Sequence, residues 1–525
     1  MIFQREAPGH KTVDTMMPAP RFAPKGLKVG AAAAAAVVVA GIVAVVVAYF
    51  GDKSTPHYRQ PDEHYKYGSI GTEPAGGLPY WIWKALPVLF KDELGAKGFK
   101  KFGLIYETVD AKKRDLPVGV ATRRYRGLDM VWINCAFCHA GTYRTSANEP
   151  RHLLLGMPAS RLDMHGLIRF LLEAAVDERF TPAYLLPAIE QAGGKLGWFD
   201  RLYYEMAVIP AVRDGLLLRR SRFLPILQVQ PPGGPGRVDS FNILKTVGLG
   251  IRKADMPANE WVGTNDFPSV FLQRWRLKPE RGATPMSAHW DGNNSSLEER
   301  NLSAATGAGA TPEHIDHEAI RRATELLLDL APPESPYLNG IDAAAAQRGQ
   351  AIYMNECQAC HGWMDGRRFR FDGERLGYVD VPVSDIGTDR GRFDAFSETV
   401  VAKQHELFKG TEFEFRHFQK TKGYSNLPLD GLWARAPYLH NGSVPNLWSL
   451  LKPPAERPVA FQRGSDILDP LNGGFEAAPC DPENDSHGVF CYDTRKPGNS
   501  NAGHDFGTAH SIEERRDLLE YLKTF

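Results

Sequence analysis

Two copies of one short pattern dominate the sequence, Cys-Ala-Phe-Cys-His at 135–139 and Cys-Gln-Ala-Cys-His at 357–361. In C-x-x-C-H the two thiols add to the vinyl groups of a haem, and the adjacent imidazole binds the iron. Zinc binding or a disulfide is the alternative use of such cysteines. Because the pattern occurs twice, we predict two covalently bound c-type haems. The predicted attachment residues and proximal ligands are Cys135, Cys138, Cys357, Cys360, His139 and His361.

The two remaining cysteines lie in a polar segment near the C-terminus, AAPCDPENDSHGVFCYD. Cys480 and Cys491 are close enough in sequence to form a short disulfide, and such a bond needs an oxidising compartment. The alternative is that both are unpaired thiols in a loop.

The N-terminal region contains an uncharged apolar stretch at 30–50, GAAAAAAVVVAGIVAVVVAYF. A helix of about 20 apolar residues spans a hydrocarbon layer of about 30 Å. Arg21, Lys25 and Lys28 precede the stretch, and the positive-inside rule then places the N-terminus in the cytoplasm. We therefore predict a cytoplasmic tail at 1–28 and a transmembrane anchor at 29–50. A cleaved signal peptide is the alternative, although the region before the apolar stretch is long for one.

Length, charge and local patterns suggest the domain organisation. The chain has 525 residues, which is enough for two or three domains. Its net charge is zero, which gives no sign of a nucleic-acid partner. A proline-rich stretch, APPESPYLNG, marks a boundary. We predict a mainly α fold, with the transmembrane helix followed by two cytochrome c-like haem domains with extensive loops. The predicted domains are 51–334, an N-terminal haem domain with a W-D-G loop, and 335–525, a C-terminal cytochrome c domain.

Sequence features on both sides of the second motif support the C-terminal domain. The segment IDAAAAQRGQAIYMNECQACHG is rich in helix formers and leads directly into the motif. Its R-G-x-x-I-Y pattern resembles the N-terminal helix of a cytochrome c domain. The chain ends in HSIEERRDLLEYLKTF, where Ser511 and Glu514 predict a capping box and a closing helix.

Three further segments extend the resemblance. HWDGNNSSLEERNLSAATGAGATPEH at 289–314 and GLWARAPYLHNGSVPNLWSLL at 431–451 resemble segments of the bacterial di-haem cytochrome c peroxidases and of MauG. PGNSNAGHDFGT at 497–508 resembles a subgroup that includes rubber oxygenase A. The resemblance spans residues 128–525, with a long insertion after the first motif.

The resemblance implies roles for three residues of the W-D-G loop and the stretch after it. Trp290 matches the tryptophan that relays electrons between the haems, although most tryptophans are simply core residues. Arg300 stands where relatives carry a glutamine over the open iron, and it suits either peroxide polarisation or binding of a haem propionate. Glu299 is a candidate for proton transfer, with Glu313 as the next candidate. The predicted catalytic residues are thus Trp290, Arg300 and Glu299.

Axial ligation separates catalysis from electron relay, because an iron with one protein ligand keeps an open site. His504 is the predicted sixth ligand of the second haem, and His440 is the next candidate. No residue makes a strong case for closing the first iron. His152 and His165 follow the first motif, but a surface or propionate-binding role is the more ordinary one for such histidines.

These features predict a single-pass inner-membrane protein whose bulk lies in the periplasm and reduces hydrogen peroxide. A small cytochrome or cupredoxin is the expected electron donor. One alternative is oxidation or oxygenation of an organic substrate, and another is a non-catalytic di-haem electron carrier. Calcium, common between the domains of the peroxidases, is kept as an optional cofactor, although the chain has no acidic D-x-D-x-D-G loop.

Overall fold

A computed structural model describes residues 25–51, 56, 58–109, 112–277, 286–483 and 489–525. About 45% of it is helical. The longer α-helices are Lys25–Phe50, Tyr80–Leu89, Met164–Ala174, Pro182–Gln191, Ile209–Leu227, Leu297–Gly307, His317–Asp329, Ala343–Glu356, Glu398–Phe408 and Ile512–Leu522. The shorter ones are Pro61–Tyr67, Glu73–Gly76, Lys91–Leu94, Cys135–Cys138, Trp198–Tyr203, Ser240–Ile243, Gln358–His361, Val383–Ile386, Gly391–Ala395 and Leu447–Leu450.

Short irregular helices and strands connect these elements. The 3₁₀ and π helices are Gly95–Phe102, Tyr204–Val208, Leu244–Gly248, Lys253–Asp255, Ala258–Glu260, Gln273–Leu277, Leu338–Gly340, Leu432–Ala434 and Pro454–Glu456. The strands are Leu78–Pro79, Thr108–Val109, Lys112–Lys113, Val120–Tyr125, Leu128–Ile133, Ala140–Tyr143, His152–Leu155, Arg237–Val238, Asn265–Asp266, Trp363–Asp365, Arg368–Arg370, Ala460–Gln462 and Cys491–Asp493.

The N-terminal prediction requires a correction. Lys25–Phe50 is a helix. Across the residues that the structure describes, however, no helix has both the length and the apolar character that a membrane crossing requires. The predicted transmembrane helix at 29–50 is therefore wrong, and so is the single-pass inner-membrane location. Residues 1–24 of the predicted cytoplasmic tail lie outside the described residues.

The first C-x-x-C-H motif lies between strands. Leu128–Ile133 pairs antiparallel with Val120–Tyr125 on one side and with Leu78–Pro79 on the other. The motif follows this strand after a single residue, Asn134, and Ala140–Tyr143 starts the next hairpin directly after it. The polypeptide therefore enters and leaves the first motif in extended conformation.

The second motif lies among helices, as the cytochrome c pattern predicts. Ala343–Glu356 leads into it and packs against the C-terminal helix Ile512–Leu522. The two helices meet at Gly349, where an added Cβ atom would lie 2.0 Å from the carbonyl oxygen of Asp517. The predicted capping box of Ser511 and Glu514 is confirmed, because each side chain accepts a hydrogen bond from the backbone amide of the other.

A buried aspartate connects the first-motif hairpin to the C-terminal part of the chain. Asp466 accepts hydrogen bonds from Thr142 Oγ1 at 2.7 Å and from Arg144 Nε at 3.0 Å. Residues 53–525 form one compact unit, and residues up to Asp52 form another. The domain boundary predicted at 334/335 lies inside the larger unit and stays a prediction.

The expected disulfide is present. Cys480 and Cys491 are bonded to each other, and Cys491 begins the strand that pairs with Ala460–Gln462. The four cysteines of the two motifs are free thiols. The cysteines therefore divide as the sequence predicts, with one structural bridge and two pairs available for other chemistry.

Candidate haem sites

The first motif places its cysteines on one helical turn with the histidine beside them. Asn134 caps this turn, because its side chain accepts a hydrogen bond from the Ala136 amide at 3.0 Å. The Nδ1 atom of His139 lies 2.9 Å from the carbonyl oxygen of Pro268. A carbonyl only accepts, so Nδ1 carries the proton and Nε2 keeps a free lone pair. Burial lowers the pKa of His139 to about 4, which favours the neutral imidazole that binds a metal.

The second motif repeats this arrangement with different partners. Cys357 precedes the helical turn Gln358–His361. The Nδ1 atom of His361 lies 2.7 Å from the carbonyl oxygen of Leu427, so its Nε2 atom is also free to bind a metal. Burial lowers the pKa of His361 as well. Both motifs therefore present two free thiols and one neutral imidazole whose Nε2 atom is free to bind a metal.

These residues fit covalently bound c-type haem. Each motif supplies both thiols for the thioether bonds. The Nδ1 atom of each histidine is hydrogen-bonded to a backbone carbonyl. A bound haem would supply one-electron redox chemistry and, where its iron keeps an open position, binding of a small oxidant. A zinc site would need further ligands near each motif. Among the described residues, no three His, Cys, Asp or Glu side chains group to hold a metal ion.

The absence of grouped ligand side chains among the described residues also concerns calcium, the optional cofactor. Across the described ranges, no group of carboxylates converges as the oxygen-rich coordination of calcium requires. Calcium thus has no candidate ligand set in this part of the molecule.

His504 faces the second proximal histidine. The ring centroids of His361 and His504 lie 6.2 Å apart, with 46° between the ring planes. The Nδ1 atom of His504 is buried and makes no hydrogen bond. Burial lowers the pKa of His504 to about 4. With metal–nitrogen bonds of about 2 Å, two imidazoles on opposite sides of one metal ion have ring centres about 6 Å apart. The geometry thus suits a second axial ligand.

Trp290 lies in a buried aromatic cluster with Tyr424 and His440. Its ring centroid is 5.4 Å from that of Tyr424 and 5.5 Å from that of His440. The hydroxyl group of Tyr424 lies 3.3 Å from His440 Nε2. Burial lowers the pKa of His440 to about 3, so its ring is neutral. His440, the alternative sixth ligand, is thus engaged in this cluster.

Two short segments connect the aromatic cluster to both proximal histidines. The carbonyl oxygen of His440 accepts a hydrogen bond from the Asp266 amide at 2.9 Å, and Asp266 lies two residues before Pro268, the partner of His139. In the other direction, Tyr424 lies three residues before Leu427, the partner of His361. Short covalent and hydrogen-bonded steps therefore link the two proximal histidines through the cluster.

Arg300 lies beside the first motif and binds neutral groups. Its Nη1 atom donates to Gln273 Oε1 at 2.6 Å and to the Ala288 carbonyl at 3.0 Å, and its Nε and Nη2 atoms donate to Asn301 Oδ1. Burial lowers the pKa of Arg300 to about 10, and the nearby Cys135 thiol partly opposes the shift. One of its five N–H groups is left without an acceptor in the described residues.

The structure gives Glu299 a different environment from Arg300. Its carboxylate accepts hydrogen bonds from the backbone amides of Arg416 and His417, at 2.8 and 2.9 Å, and from His417 Nδ1 at 2.7 Å. Burial favours the neutral acid, but these donors lower the pKa of Glu299. Glu299 thus binds the 416–417 loop, while Glu313 is exposed next to His314.

The histidines after the first motif have ordinary partners. His152 is exposed and lies 3.0 Å from Glu149. His165 is buried, and its Nε2 atom accepts a hydrogen bond from the Asp239 amide at 3.1 Å. His152 and His165 therefore each have a hydrogen-bond partner within the protein.

Sequence reasoning missed a charged group under the Trp290 cluster. Asp291 lies 3.0 Å from His289 Nδ1 and 3.1 Å from Arg392 Nη2. Burial opposes its ionisation, but these two partners hold the pKa of Asp291 well below its usual range. His289 and Asp291 flank Trp290 in the sequence, which was a usable signal. Arg392 lies about a hundred residues away in the chain and gave none.

Comparisons with known proteins agree with part of this picture. The RoxA-like, cytochrome c-like family matches residues 423–462, a segment that contains Tyr424, Leu427 and His440. Two uncharacterised proteins of Sinorhizobium fredii (strain NBRC 101917 / NGR234) are similar to the chain. Protein y4iJ is 32% identical over 256 residues, which are 37% of this chain and 41% of that protein. Protein y4iM is 30% identical over 300 residues, 49% of this chain and 64% of that protein.

The chain thus covers less than two thirds of either relative. The family match nevertheless includes Leu427, whose carbonyl binds His361, and two members of the aromatic cluster, Tyr424 and His440. The match to a RoxA-like, cytochrome c-like segment at 423–462 agrees with the C-x-x-C-H motifs and supports covalently bound c-type haem.

Proposed function

We propose that the protein is a di-haem c-type oxidoreductase in which the second haem passes electrons to the first, where hydrogen peroxide is reduced. The overall reaction consumes one peroxide, two electrons and two protons and yields two water molecules. The expected electron donor is a small cytochrome or cupredoxin. The observation that carries the proposal is the unequal environment of the two proximal histidines.

This inequality concerns the position opposite each histidine. His361 has the ring of His504 at 6.2 Å, with an unbonded buried nitrogen. In the described residues, no ring contact of this kind joins His139 to another histidine. A site with two axial histidines favours electron transfer, and a site with one leaves room for a small oxidant.

Residues around the first motif suit the binding and protonation of peroxide. Arg300 is held in place by Gln273, Ala288 and Asn301 and keeps one N–H group to donate to an oxygen. Its guanidinium is a permanent cation and stabilises negative charge on that oxygen. Trp290, in the cluster that short covalent and hydrogen-bonded steps link to both proximal histidines, suits electron relay because its indole is oxidisable and rigidly packed.

A second candidate function is oxidation or oxygenation of an organic substrate. The RoxA-like match at 423–462 favours it, and so does the arginine at position 300, where the resemblance to the peroxidases leads one to expect glutamine. Turnover of peroxide with a reduced donor and no organic substrate distinguishes the peroxidase from this alternative.

Spin-state measurements on the His504→Ala variant test the proposal, with His152→Ala as the matched surface control. We expect the variant to convert one low-spin haem signal to high-spin and to leave the other unchanged. Peroxide should perturb the signal of the first haem in the wild type and in His504→Ala. The His152→Ala control should behave as wild type. If both haems of the wild type carry two protein ligands in every redox state, the protein is an electron carrier and the catalytic proposal fails.

A further inference from the structure

Arg276 is a buried cation that makes a single hydrogen bond within the described residues. It is 8% exposed, and its Nη1 atom donates to the carbonyl oxygen of Ser287 at 2.9 Å. No carboxylate of the described residues lies within 4 Å of its guanidinium. A guanidinium has five N–H groups, and a buried charge without a counterion is costly. In the part of the chain that the structure describes, Arg276 therefore has one hydrogen bond and no direct ion pair.

A second guanidinium lies next to it. Arg300 Nη1 donates to the carbonyl of Ala288, the residue after the Ser287 that accepts from Arg276. Both arginines are also held by the 3₁₀ helix Gln273–Leu277. Arg276 belongs to this helix, and its first residue, Gln273, accepts a hydrogen bond from Arg300 Nη1 at 2.6 Å. Two like charges held on adjacent carbonyls repel each other unless an anion lies between or beside them.

The acidic groups that act on Arg276 and Arg300, Asp430 and Asp291, each have another partner. Asp430 accepts a hydrogen bond from Arg435 Nη2 at 2.7 Å, and Asp291 pairs with Arg392 at 3.1 Å. Burial lowers the pKa of Arg276 to about 10; Asp430 partly offsets this shift, and the positive charges of Arg300 and Arg435 add to it. The charged groups that act on Arg276 thus leave an excess of positive charge.

Hydrogen-bonded backbone links this excess to the second haem motif. Ser287, whose carbonyl accepts from Arg276, donates its amide to the carbonyl of Gly377 at 2.8 Å. Two residues earlier, the amide of Arg375 donates to the carbonyl of Ala359, inside the second motif, at 2.8 Å. A carboxylate of a molecule bound at that motif would neutralise the charge at this position.

We propose that Arg276 is the counter-cation of a haem carboxylate and raises the reduction potential of that haem. The inference rests on the proposed function only in that it requires haem at the motifs. A propionate carboxylate matches the planar donor fork of arginine and neutralises the unmatched charge. A fixed positive charge favours the reduced iron, because reduction removes one positive charge from the haem. A free carboxylate from solution is the alternative source of the same chemistry.

The test compares three variants of the haem-loaded protein. Arg276→Gln removes the charge, Arg276→Lys keeps it, and Arg274→Gln is the matched control. Arg274 lies on the same 3₁₀ helix but is exposed and pairs with Asp329. Pyridine haemochrome analysis first establishes two haems per chain; a lower number in the wild type refutes the haem assignment and not the role of Arg276.

Spectroelectrochemical titration then measures both haems at several pH values. We expect Arg276→Gln to shift the reduction equilibrium of one haem about tenfold toward the oxidised form, about 59 mV for one electron. Arg276→Lys should recover most of this shift, and Arg274→Gln should show none. The glutamine variant should also acquire a pH-dependent potential, because a buried carboxylate without its cation has a raised pKa and binds a proton on reduction.

Two outcomes overturn the proposal. The first is an Arg276→Gln protein whose potentials and pH dependence equal those of the wild type. The second is a wild-type potential that changes saturably with added acetate and loses this response in Arg276→Gln, which assigns the site to an exchangeable anion. If Arg276→Gln does not accumulate, Arg276→Lys still tests the proposal, because a potential more than about tenfold away from wild type is inconsistent with conserved charge.

Discussion

The two C-x-x-C-H motifs have the same local sequence pattern but different surroundings. The first follows a β-strand and precedes a hairpin, and its histidine is oriented by Pro268, 129 residues further along the chain. The second follows a long helix, and its histidine is oriented by Leu427, 66 residues away. A short motif thus defines the attachment chemistry, whereas distant residues decide what each haem can do.

The side chains near each proximal histidine differ most. The ring of His504 lies 6.2 Å from that of His361, on a backbone with a φ of 53°, a conformation that non-glycine residues rarely adopt. Near the first motif lies Arg300, whose Nη1 atom donates to the carbonyl of Ala288, two residues before Trp290. We infer a division of labour in which a closed haem accepts electrons and an open haem uses them.

The largest expected effect is the loss of one haem. Replacing Cys357 and Cys360 together by Ala removes both thioether bonds at the second motif. We expect the covalent haem content to fall by half, as measured by pyridine haemochrome analysis after acid extraction. The matched variant at Cys135 and Cys138 should give the same loss. Unchanged covalent haem in either variant excludes that motif as an attachment site.

The helical frame of the second site can be tested at Gly349. An alanine there places a methyl group 2.0 Å from a backbone oxygen of the C-terminal helix, so the two helices must separate. We expect Gly349→Ala to reduce the free energy of unfolding by about 3 kcal/mol. Gly340→Ala is the control, because nothing lies within 4 Å of its added Cβ atom, and its effect should stay within about 0.5 kcal/mol. Equal stability of the two variants in denaturant titrations contradicts the close approach.

Communication between the two sites is tested at Trp290. Trp290→Phe keeps an aromatic ring in the cluster but removes the oxidisable indole. We expect electron transfer between the haems to slow about tenfold, equivalent to about 1.4 kcal/mol, in stopped-flow experiments on half-reduced protein. Trp198→Phe is the control, since Trp198 is 81% exposed. A wild-type rate in Trp290→Phe would show that the indole is only a packing residue.

The smallest expected effect is at Glu299, and it depends on pH. The folded state lowers the pKa of this carboxyl, so its stabilising effect is complete above the unfolded pKa of about 4.3 and is lost as the pH falls through the folded pKa. Glu299→Gln should cost about 1–2 kcal/mol at pH 7 and less in acid. Denaturant titrations at pH 7 and pH 4 measure this difference, with Glu298→Gln as the exposed control. A loss of peroxide turnover beyond the loss of stability would instead support the predicted catalytic role.

The sequence predicted the features that depend on neighbouring residues. The C-x-x-C-H motifs, the capping box of Ser511 and Glu514 and the disulfide of Cys480 and Cys491 are patterns within a few residues, and the described structure contains each of them. The apolar N-terminal stretch is also a local pattern, but there the inference of a membrane anchor was wrong.

Long-range partners could not be predicted in this way. Nothing near His139 in the sequence indicates that Pro268 orients its ring, and nothing near Asp291 indicates Arg392. Arg276 is one of many arginines in the sequence, and only its burial beside Arg300 separates it from the others. Single-sequence patterns therefore identified the cofactor, while tertiary packing defines the chemistry around it.

The buried Asp466 has a consequence for biosynthesis. The chain between Thr142 and this carboxylate is 324 residues long, which takes roughly 15–65 s to translate. Throughout that interval the hairpin after the first motif lacks the partner that holds Thr142 and Arg144 in the finished protein. Cys135 and Cys138 thus leave the ribosome long before their native surroundings exist, and any machinery that modifies them early meets an unfolded chain.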